Sequence, residues 1–508
     1  MIAPTAVSRG AGRSLLWIAA LVAGCEAPAE PPATPPRAAQ LTPPEITTAL
    51  PEVAIDGGDG GLADAAIDGD IRDPAFSGEL ASIATETSIY DEPRWGARRL
   101  GYLRAGAIVR RSAEPVASGP RCPEGWYRVE PRGFVCVGAM ATLDVHHRVV
   151  TAAARPPRED GLPYLYALAR SVPPALYARL PTRADQRRFE PDLRDHLAKN
   201  LTPSNLPPAE PIPAWLTPGS AAVGLGNEHR GPRRVFLGHP KGRSGFALLN
   251  TVEHEGRRFG VTTGLELIPL DRTRIVEQSR FSGMVLGDGL TLPVAFVRRT
   301  GAFRVIDGPH GLSVGPVLGF REAVPVTEEV RRVNDTSFVV ARDGTLVRED
   351  QVVVVKTMRR PPRWAEEGGK WIEVSIPRQT LVAYEGTKPV YVTLVSTGVG
   401  GTGDPEETHA TIQGTFKIYE KHVTVTMDGN EASDAFDLRD VPFVQYFHKG
   451  YALHAAYWHD DFGHAHSHGC VNLAPVDAAW LFRWTDPRVP PGWHATMARE
   501  GTLVYVHD

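Results

Sequence analysis

Short apolar runs, separated by stretches rich in Gly, Pro and Ser, follow one another along the chain from about residue 79. Several of these runs alternate apolar and polar positions, which is typical of strands with one buried face. The runs at 87–90, 107–111, 126–129 and 133–137 predict a small β-barrel over residues 79–145. The pattern as a whole predicts a mainly β, multidomain protein.

A β-meander is predicted to open the C-terminal domain, residues 366–507. Alternating runs at 371–376 and 379–384 are followed by a turn at Glu385-Gly386 and a third run at 389–396. Further strands are predicted at 414–419, 422–427 and 451–456. These strands make the C-terminal domain β-rich.

The middle region, residues 146–365, is predicted to be mixed α/β. Thr182 and Asp185 have the spacing of a helix-capping pair. Later, the segment 258–264 with its continuation to 271 is echoed by 337–344 with its continuation to 350, which predicts a degenerate repeat of small β units. No catalytic constellation stands out here, so packing or substrate positioning is the interpretation.

Composition and charge indicate a soluble globular protein and argue against a nucleic-acid-binding one. A chain of 508 residues is long enough for two or three domains, and 42% hydrophobic with 22% charged residues is typical of soluble globular proteins. The formal net charge of −4 argues against a nucleic-acid-binding protein, which usually carries a basic excess.

Residues 1–25 have the pattern of an export signal. Arg9 and Arg13 precede an apolar run at 15–22, too short to span a bilayer, which ends in Val22-Ala23-Gly24-Cys25. This ending resembles bacterial lipoprotein signals, which implies lipidation of Cys25 and a membrane anchor; a plain secretory signal is the alternative. Residues 26–78 form a predicted Pro/Ala/Gly-rich linker, and the Asp/Gly run at 56–61 lacks the closing Glu of a calcium loop.

Export would place the remaining cysteines in an oxidising compartment, where disulfides persist. Cys122 and Cys136 lie in one predicted β unit, so we expect them to pair and to leave Cys470 free. Two buried thiols are the alternative.

Cys470 stands in the most informative segment of the chain. It follows Ser467-His468-Gly469, and His454 lies on a predicted strand upstream. A cysteine nucleophile needs an imidazole neighbour that takes its proton, and a Gly beside it permits close approach of a substrate. Backbone N–H groups of such a turn can hold an oxyanion. A helix predicted to start at Pro475 would favour the thiolate.

The C-terminal domain resembles the YkuD-type L,D-transpeptidase catalytic domain, whose signature reads here as His454, a twelve-residue spacer, and Ser467-His468-Gly469-Cys470-Val471-Asn472. The resemblance implies that Cys470 is the nucleophile and His454 the proton acceptor and donor. It also implies that His468 and Gly469 shape the oxyanion site, with support from Ser467 and Asn472. Candidates for substrate contact are Tyr451, Trp458 and His459. Three features depart from the family pattern, namely Ala455, Ala474 and the short spacer. Residues 125–137 separately resemble bacterial SH3-like domains.

The resemblance further implies an enzyme of the cell envelope that acts on peptidoglycan stem peptides without metal or other cofactor. The acyl acceptor is left open among an amine, water and a protein lysine. Three alternatives accompany this interpretation. The first is that His448 acts as the base. The second is a zinc site, which would form if one strand carried His464, His466, His468 and Cys470. The third is a domain that binds the wall without catalysis.

Overall fold

The computed structural model describes residues 76–154, 161–199, 202–217, 223, 225, 234–429 and 436–508. The predicted signal, the lipidation at Cys25 and nearly all of the predicted linker lie outside the described residues. Ile71–Asp508 forms one compact unit. Within the described ranges, no helix is both long and apolar enough to cross a membrane. The mainly β architecture that the sequence predicts is confirmed.

An N-terminal β unit occupies residues 78–142. Strand β1 pairs with β4 and β8, β2 pairs with β3 and β7, and β6 pairs with β5 and β7. Leu80, Ile89 and Val135 are fully buried in its core. Cys122 and Cys136 form a disulfide with an S–S distance of 2.07 Å. Assignment of this unit to the SH3-like class stays a prediction. Its strands are β1 Gly78–Ser82, β2 Thr87–Tyr90, β3 Arg99–Leu103, β4 Ile108–Arg111, β5 Ala117–Gly119, β6 Cys122–Arg128, β7 Phe134–Cys136 and β8 Ala141–Thr142.

The middle region contains three short α-helices and fifteen strands among its described residues, and a fourth short helix, α4 Arg363–Glu366, lies at its boundary with the C-terminal domain. Helix α2 begins where the capping pair was predicted: the backbone N–H of Asp185 donates to the Thr182 hydroxyl and the Asp185 carboxylate accepts from the Thr182 N–H. The helices are α1 Arg148–Ala153, α2 Arg183–Phe189 and α3 Leu193–Leu197. The strands are β9 Leu165–Ala169, β10 Leu176–Tyr177, β11 Phe236–Gly238, β12 Ser244–His254, β13 Arg257–Thr262, β14 Leu267–Pro269, β15 Thr273–Ile275, β16 Met284–Val285, β17 Val294–Val297, β18 Phe303–Gly308, β19 Gly311–Val317, β20 Ala323–Val333, β21 Thr336–Ala341, β22 Leu346–Arg348 and β23 Val352–Val355.

Two stretches of the middle region have the same order of elements. In the first copy, β12 to β15 form a hairpin, a short strand, a 3-10 turn and a last strand, and β9 pairs with both β12 and β15. In the second copy, β20 to β23 repeat this order, and β17 pairs with both β20 and β23. The hairpin turns also match, since Gly256 and Glu255 in one and Asn334 and Asp335 in the other all have positive φ.

The C-terminal domain packs two sheets and one longer helix around an apolar core. In one sheet β24 lies between β25 and β33, with β26 and β27 outside them. In the other, β29 lies between β28 and β30, and β30 pairs in parallel with β31. Ile372, Leu453, Val471 and Leu481 are completely buried between the sheets and α5. The elements are α4 Arg363–Glu366, β24 Lys370–Ser375, β25 Thr380–Glu385, β26 Lys388–Leu394, β27 Gly414–Lys417, β28 Glu420–Gly429, β29 Phe436–His448, β30 Tyr451–Ala455, β31 Val471–Leu473, α5 Pro475–Trp484, β32 Ala495–Met497 and β33 Leu503–His507.

Strand pairing joins the three regions. β3 of the N-terminal unit pairs with β32, β16 pairs with β26, and β12 pairs in parallel with β29. Leu168 and Ala247 of the middle region are buried in one apolar cluster with Leu438 and Tyr457 of the C-terminal domain. The middle region therefore extends the sheet that carries the predicted site.

Candidate active site

Cys470 and His454 come together because β30 and β31 pair in parallel. Leu453 lies opposite Val471 and His454 opposite Asn472, which places Cys470 just before the start of the paired segment. Both residues line one cavity of about 390 Å³. The two strands thus bring a thiol and an imidazole to the same wall.

His454 is buried, with 2% of its surface exposed. Its Nδ1–H donates to the Ala455 carbonyl oxygen at 3.2 Å, which leaves the lone pair on Nε2. Burial lowers the pKa of His454 to about 4, although the hydrogen bond to Ala455 opposes this shift. The imidazole is therefore neutral at physiological pH and able to accept a proton. Because a backbone carbonyl orients the ring, the identity of residue 455 matters little.

The Cys470 thiol is also held in its neutral form. Burial raises its pKa to about 11, while a backbone contact with Ala452 acts in the opposite direction. The thiol donates a weak hydrogen bond to the Gly450 carbonyl oxygen, which lies 3.6 Å from Sγ. This shift is opposite in direction to the thiolate-favouring effect that the sequence predicts for α5. The resting pair is a thiol and a neutral imidazole, not an ion pair.

Ser467 and Gly469 shape the turn before Cys470. The Ser467 hydroxyl donates to the Cys470 carbonyl oxygen at 2.5 Å and accepts from the Gly469 N–H at 3.1 Å. Gly469 has φ of +125°, and a Cβ there would lie 2.8 Å from a ring carbon of Tyr451. Only glycine fits this position without a shift of its neighbours. Since the Gly469 N–H is bound to Ser467, it is not available to an oxyanion.

Asn472 faces His459 beside the cavity. The side-chain amide nitrogen of Asn472 and Nε2 of His459 are 2.9 Å apart, while Nδ1 of His459 accepts from the Asp461 N–H at 3.2 Å. Burial and the nearby His466 lower the pKa of His459 to about 3, so the ring is neutral and has only one N–H. That N–H belongs on Nε2 and needs an oxygen acceptor. Rotating the Asn472 side-chain amide by 180° exchanges its oxygen and nitrogen, so that Oδ1 accepts from the Nε2–H of His459. The NH₂ group then occupies the buried position at which Oδ1 has no partner among the described residues.

Residues 369–506 match the family model for YkuD, the L,D-transpeptidase catalytic domain. Residues 369–506 are therefore a YkuD-type L,D-transpeptidase catalytic domain. The chain carries the catalytic domain of a cysteine transpeptidase, and the resemblance seen in the sequence is confirmed for this segment.

Solved L,D-transpeptidase structures are similar to part of the chain. One from Stackebrandtia nassauensis is 29% identical, with a TM-score of 0.19, and the match covers 28% of this chain and 56% of that one. One from Xylanimonas cellulosilytica is 24% identical, with a TM-score of 0.20 and coverage of 30% and 64%. The catalytic domain from Enterococcus faecium is 22% identical, with a TM-score of 0.22 and coverage of 28% and 98%. This chain therefore spans less than two thirds of the first two proteins. A search of curated proteins gave no match.

Other predicted residues of the transpeptidase domain lie around this site. Trp458 lines the cavity, with its ring centre 5.7 Å from that of His454. His468 also lines it and packs against the rings of His409 and Phe436. Among the described residues, the cavity lining does not include Tyr451, which instead packs under Gly469.

The rival base His448 lies elsewhere in the transpeptidase domain. Its ring centre is 4.9 Å from that of Phe416 and 6.3 Å from that of Tyr451. It is not among the described residues that line the cavity. The geometry therefore favours His454 as the base.

The zinc alternative requires His464, His466, His468 and Cys470 on one strand. Residues 461–470 instead form no continuous strand, since turns and bends interrupt the segment and only Ser467 makes a β-bridge, to Gly398. Nδ1 of His464 lies 2.9 Å from the Asp461 carboxylate. Within the described part of the chain, no three His, Cys, Asp or Glu side chains are grouped so as to hold a metal ion. The geometric basis of that alternative is absent from the described site.

The middle region supplies part of the cavity wall of the transpeptidase domain, which sequence reasoning missed. Leu168, Ala169, Arg243 and Arg274 line the cavity together with residues of the domain itself. No local motif marks these positions. They reach the site because β9, β12 and β15 continue the sheet of β29.

Proposed function

We propose that this protein is an exported peptidoglycan L,D-transpeptidase that forms an acyl-enzyme on Cys470 and transfers a stem peptide to an amine. The observation that carries the proposal is the placement of Cys470 beside His454 on one cavity wall. The family match of residues 369–506 supports this chemistry.

In the acylation step, the Cys470 thiol gives its proton to Nε2 of His454 as sulfur attacks the carbonyl carbon that follows an L-configured centre of the stem. A neutral imidazole is suited to this transfer because its lone pair is free. The backbone N–H of Cys470 and the Asn472 amide NH₂ are the donors we assign to the developing oxyanion. The C–N bond then breaks, and His454 gives its proton to the leaving amine of a D-amino acid.

In the transfer step, an amine of a second stem attacks the thioester and gives a proton to His454. The C–S bond breaks, sulfur takes that proton, and a new amide cross-link leaves the site. Attack by water would instead release a trimmed stem, and attack by a protein lysine would anchor that protein to the wall. No step requires a metal or an organic cofactor.

Export and anchoring complete the proposal. The basic and apolar pattern of residues 1–25 supports export, and Cys25 supports a lipid anchor in the cell envelope. The N-terminal β unit then serves as a wall-binding module or as a spacer. Replacement of Cys25 with Ser is expected to move the protein from the membrane to the soluble envelope fraction.

The decisive experiment is intact-mass measurement of wild type and Cys470→Ala after incubation with a carbapenem, and separately with a stem tetrapeptide and an amine acceptor. We expect a covalent adduct and release of D-amino acid in wild type alone. The product mass identifies the acceptor as amine or water. Absence of adduct and of turnover in folded wild-type protein would refute the transpeptidase proposal.

A further inference from the structure

A row of directly paired residues crosses four adjacent strands beneath the cavity. Arg274 of β15 lies opposite Leu168 of β9, Leu168 lies opposite Gly245 of β12, and Gly245 lies opposite Leu438 of β29. Directly opposed side chains lie on the same face of a sheet. Arg274, Leu168 and Leu438 all line the cavity, which is consistent with this geometry.

This row reaches the nucleophile. Cys470 packs against the apolar cluster that contains Leu168 and Leu438. Adjacent strands lie about 4.8 Å apart, so three steps separate Arg274 from Leu438 by roughly 14 Å. Arg274 is therefore positioned to contact a ligand that extends from Cys470 along the row.

In the second copy of the β unit, an apolar residue stands where the first copy has the arginine. Its pairing places Val353 of β23 opposite Phe296 of β17, and Phe296 opposite Ala323 of β20. Val353 thus occupies the position of Arg274. Phe296, Ala323 and Val353 all pack in an apolar cluster with the transpeptidase domain. The row of the second copy, which packs on a core, is therefore apolar. The equivalent row of the first copy, which lines the cavity, carries an arginine.

Charge around the cavity favours an anion. Its lining includes Arg243 and Arg274 and, as far as the structure describes it, no Asp or Glu. Arg274 is exposed and makes no ion pair with any described residue. The nearby Asp437 carboxylate is already paired with Arg439 at 3.3 Å. An arginine fork binds carboxylates through two parallel hydrogen bonds.

We propose that Arg274, with Arg243 beside the same cavity, binds a carboxylate of the stem peptide and so sets the substrate specificity of the enzyme. The inference rests on the proposed function for the identity of the peptide. The carboxylate is either the C-terminal one, carried by the leaving D-amino acid, or an acidic side chain within the stem. Both carboxylates have the same chemistry. Peptides in which only one of the two is amidated distinguish between them.

The test measures binding to the full chain carrying Cys470→Ala, which cannot form a thioester, by calorimetry. Three tetrapeptides are compared: the free acid, the C-terminal amide and the side-chain amide. We expect one amide to bind roughly 10- to 100-fold more weakly than the free acid, because a charged hydrogen-bonded pair is lost. Arg274→Val introduces the residue type that the second copy has at this position. Added to Cys470→Ala, it is expected to weaken binding of the free acid by the same factor and to abolish the difference in affinity between acid and amide. Arg274→Gln provides a second variant of similar length.

Arg332→Val is the matched control, since it removes an exposed strand arginine that is not among the described residues lining the cavity. It should leave all three affinities unchanged. Equal binding of acid and amides, no binding at all, or discrimination that survives both Arg274 variants would overturn the proposal. Turnover by wild type is measured separately. Turnover together with equal affinities for acid and amides rejects only the role of Arg274. Carboxylate-dependent binding without turnover rejects only the transpeptidase activity.

Discussion

The guanidinium of Arg104 and the carboxylate of Asp440 form a buried two-point ion pair between the N-terminal β unit and the transpeptidase domain. Nη2 lies 3.1 Å from Oδ2, and Nη1 contacts Oδ1. The same carboxylate accepts from the hydroxyl of Thr263 in the middle region at 2.5 Å and from that of Thr424 at 2.6 Å. The side chain of Asp440 thus contacts residues of all three regions. These contacts hold the N-terminal unit against the transpeptidase domain.

Replacement of Asp440 with Asn should destabilise the protein strongly. The Asp440 side chain is 3% exposed and that of Arg104 17% exposed, so the substitution leaves a largely buried cation without its partner. Loss of one member of such a pair costs about 3–5 kcal/mol. The exposed pair of Arg331 and Asp307 is the control, since Asp307→Asn should change the free energy of unfolding by less than about 1 kcal/mol. Urea unfolding measures both, and equal small effects would contradict the prediction.

The Asp440 cluster also predicts loss of stability in acid. Burial opposes ionisation of Asp440, but Arg104 and the threonine hydroxyls outweigh it and hold the pKa of Asp440 below its usual value. A carboxylate whose pKa is lower in the folded state stabilises the fold above its unfolded pKa and loses that contribution as pH falls through the folded pKa. We expect wild type to lose more stability than Asp440→Asn below pH of about 4. Parallel acid unfolding curves for the two proteins would refute this.

The pH dependence of turnover should report His454. Burial lowers its pKa to about 4, so the ring remains a competent base in mildly acidic solution. We expect the acidic limb of kcat/KM to fall with a midpoint near pH 4, provided that the fold persists there. Because the folded pKa lies below the unfolded value, the buried neutral ring contributes full stability above pH of about 6.5 and loses it as pH falls toward the folded pKa. An acidic limb centred near the ordinary histidine pKa would contradict the neutral-pair description.

Alkylation of Cys470 should be slow at neutral pH. Its pKa is raised to about 11 by burial, and the thiolate is the species that reacts with iodoacetamide. We expect the rate at Cys470, followed by mass spectrometry of its peptide, to keep rising up to pH of about 10, whereas a free cysteine in a short peptide levels off earlier. A rate that is already maximal at pH of about 7 would show a resting thiolate.

Gly469→Ala should impair acylation while leaving most of the fold intact. The substitution places a methyl group 2.8 Å from the Tyr451 ring at φ of +125°. The resulting shift moves the turn that positions Cys470, and a misplacement of about 1 Å can cost roughly 100-fold in rate. Gly119→Ala is the control, because a Cβ at Gly119 meets no atom within 4 Å. Carbapenem acylation rates of the two variants give the comparison, and equal rates would contradict the role of Gly469.

The sequence by itself determined the features that depend on neighbouring residues and on strand periodicity. The Thr182 cap forms from residues three positions apart, and the repeated order of elements follows from two similar local patterns. Ser467, Gly469 and Cys470 lie within one turn, so their mutual geometry is also local. Such features are visible in sequence because short-range hydrogen bonds and backbone preferences fix them.

Only the tertiary structure decided the protonation states of the site and the origin of its walls. The pKa values of His454 and Cys470 move apart because desolvation of a buried ring and of a half-buried thiol disfavours the charged form of each, and this desolvation depends on packing by the whole domain. Arg104 meets Asp440 across 336 positions of sequence, and Arg274 reaches the cavity through four paired strands. No local pattern encodes these contacts, because strand pairing joins distant segments whose register is set by the shared apolar core.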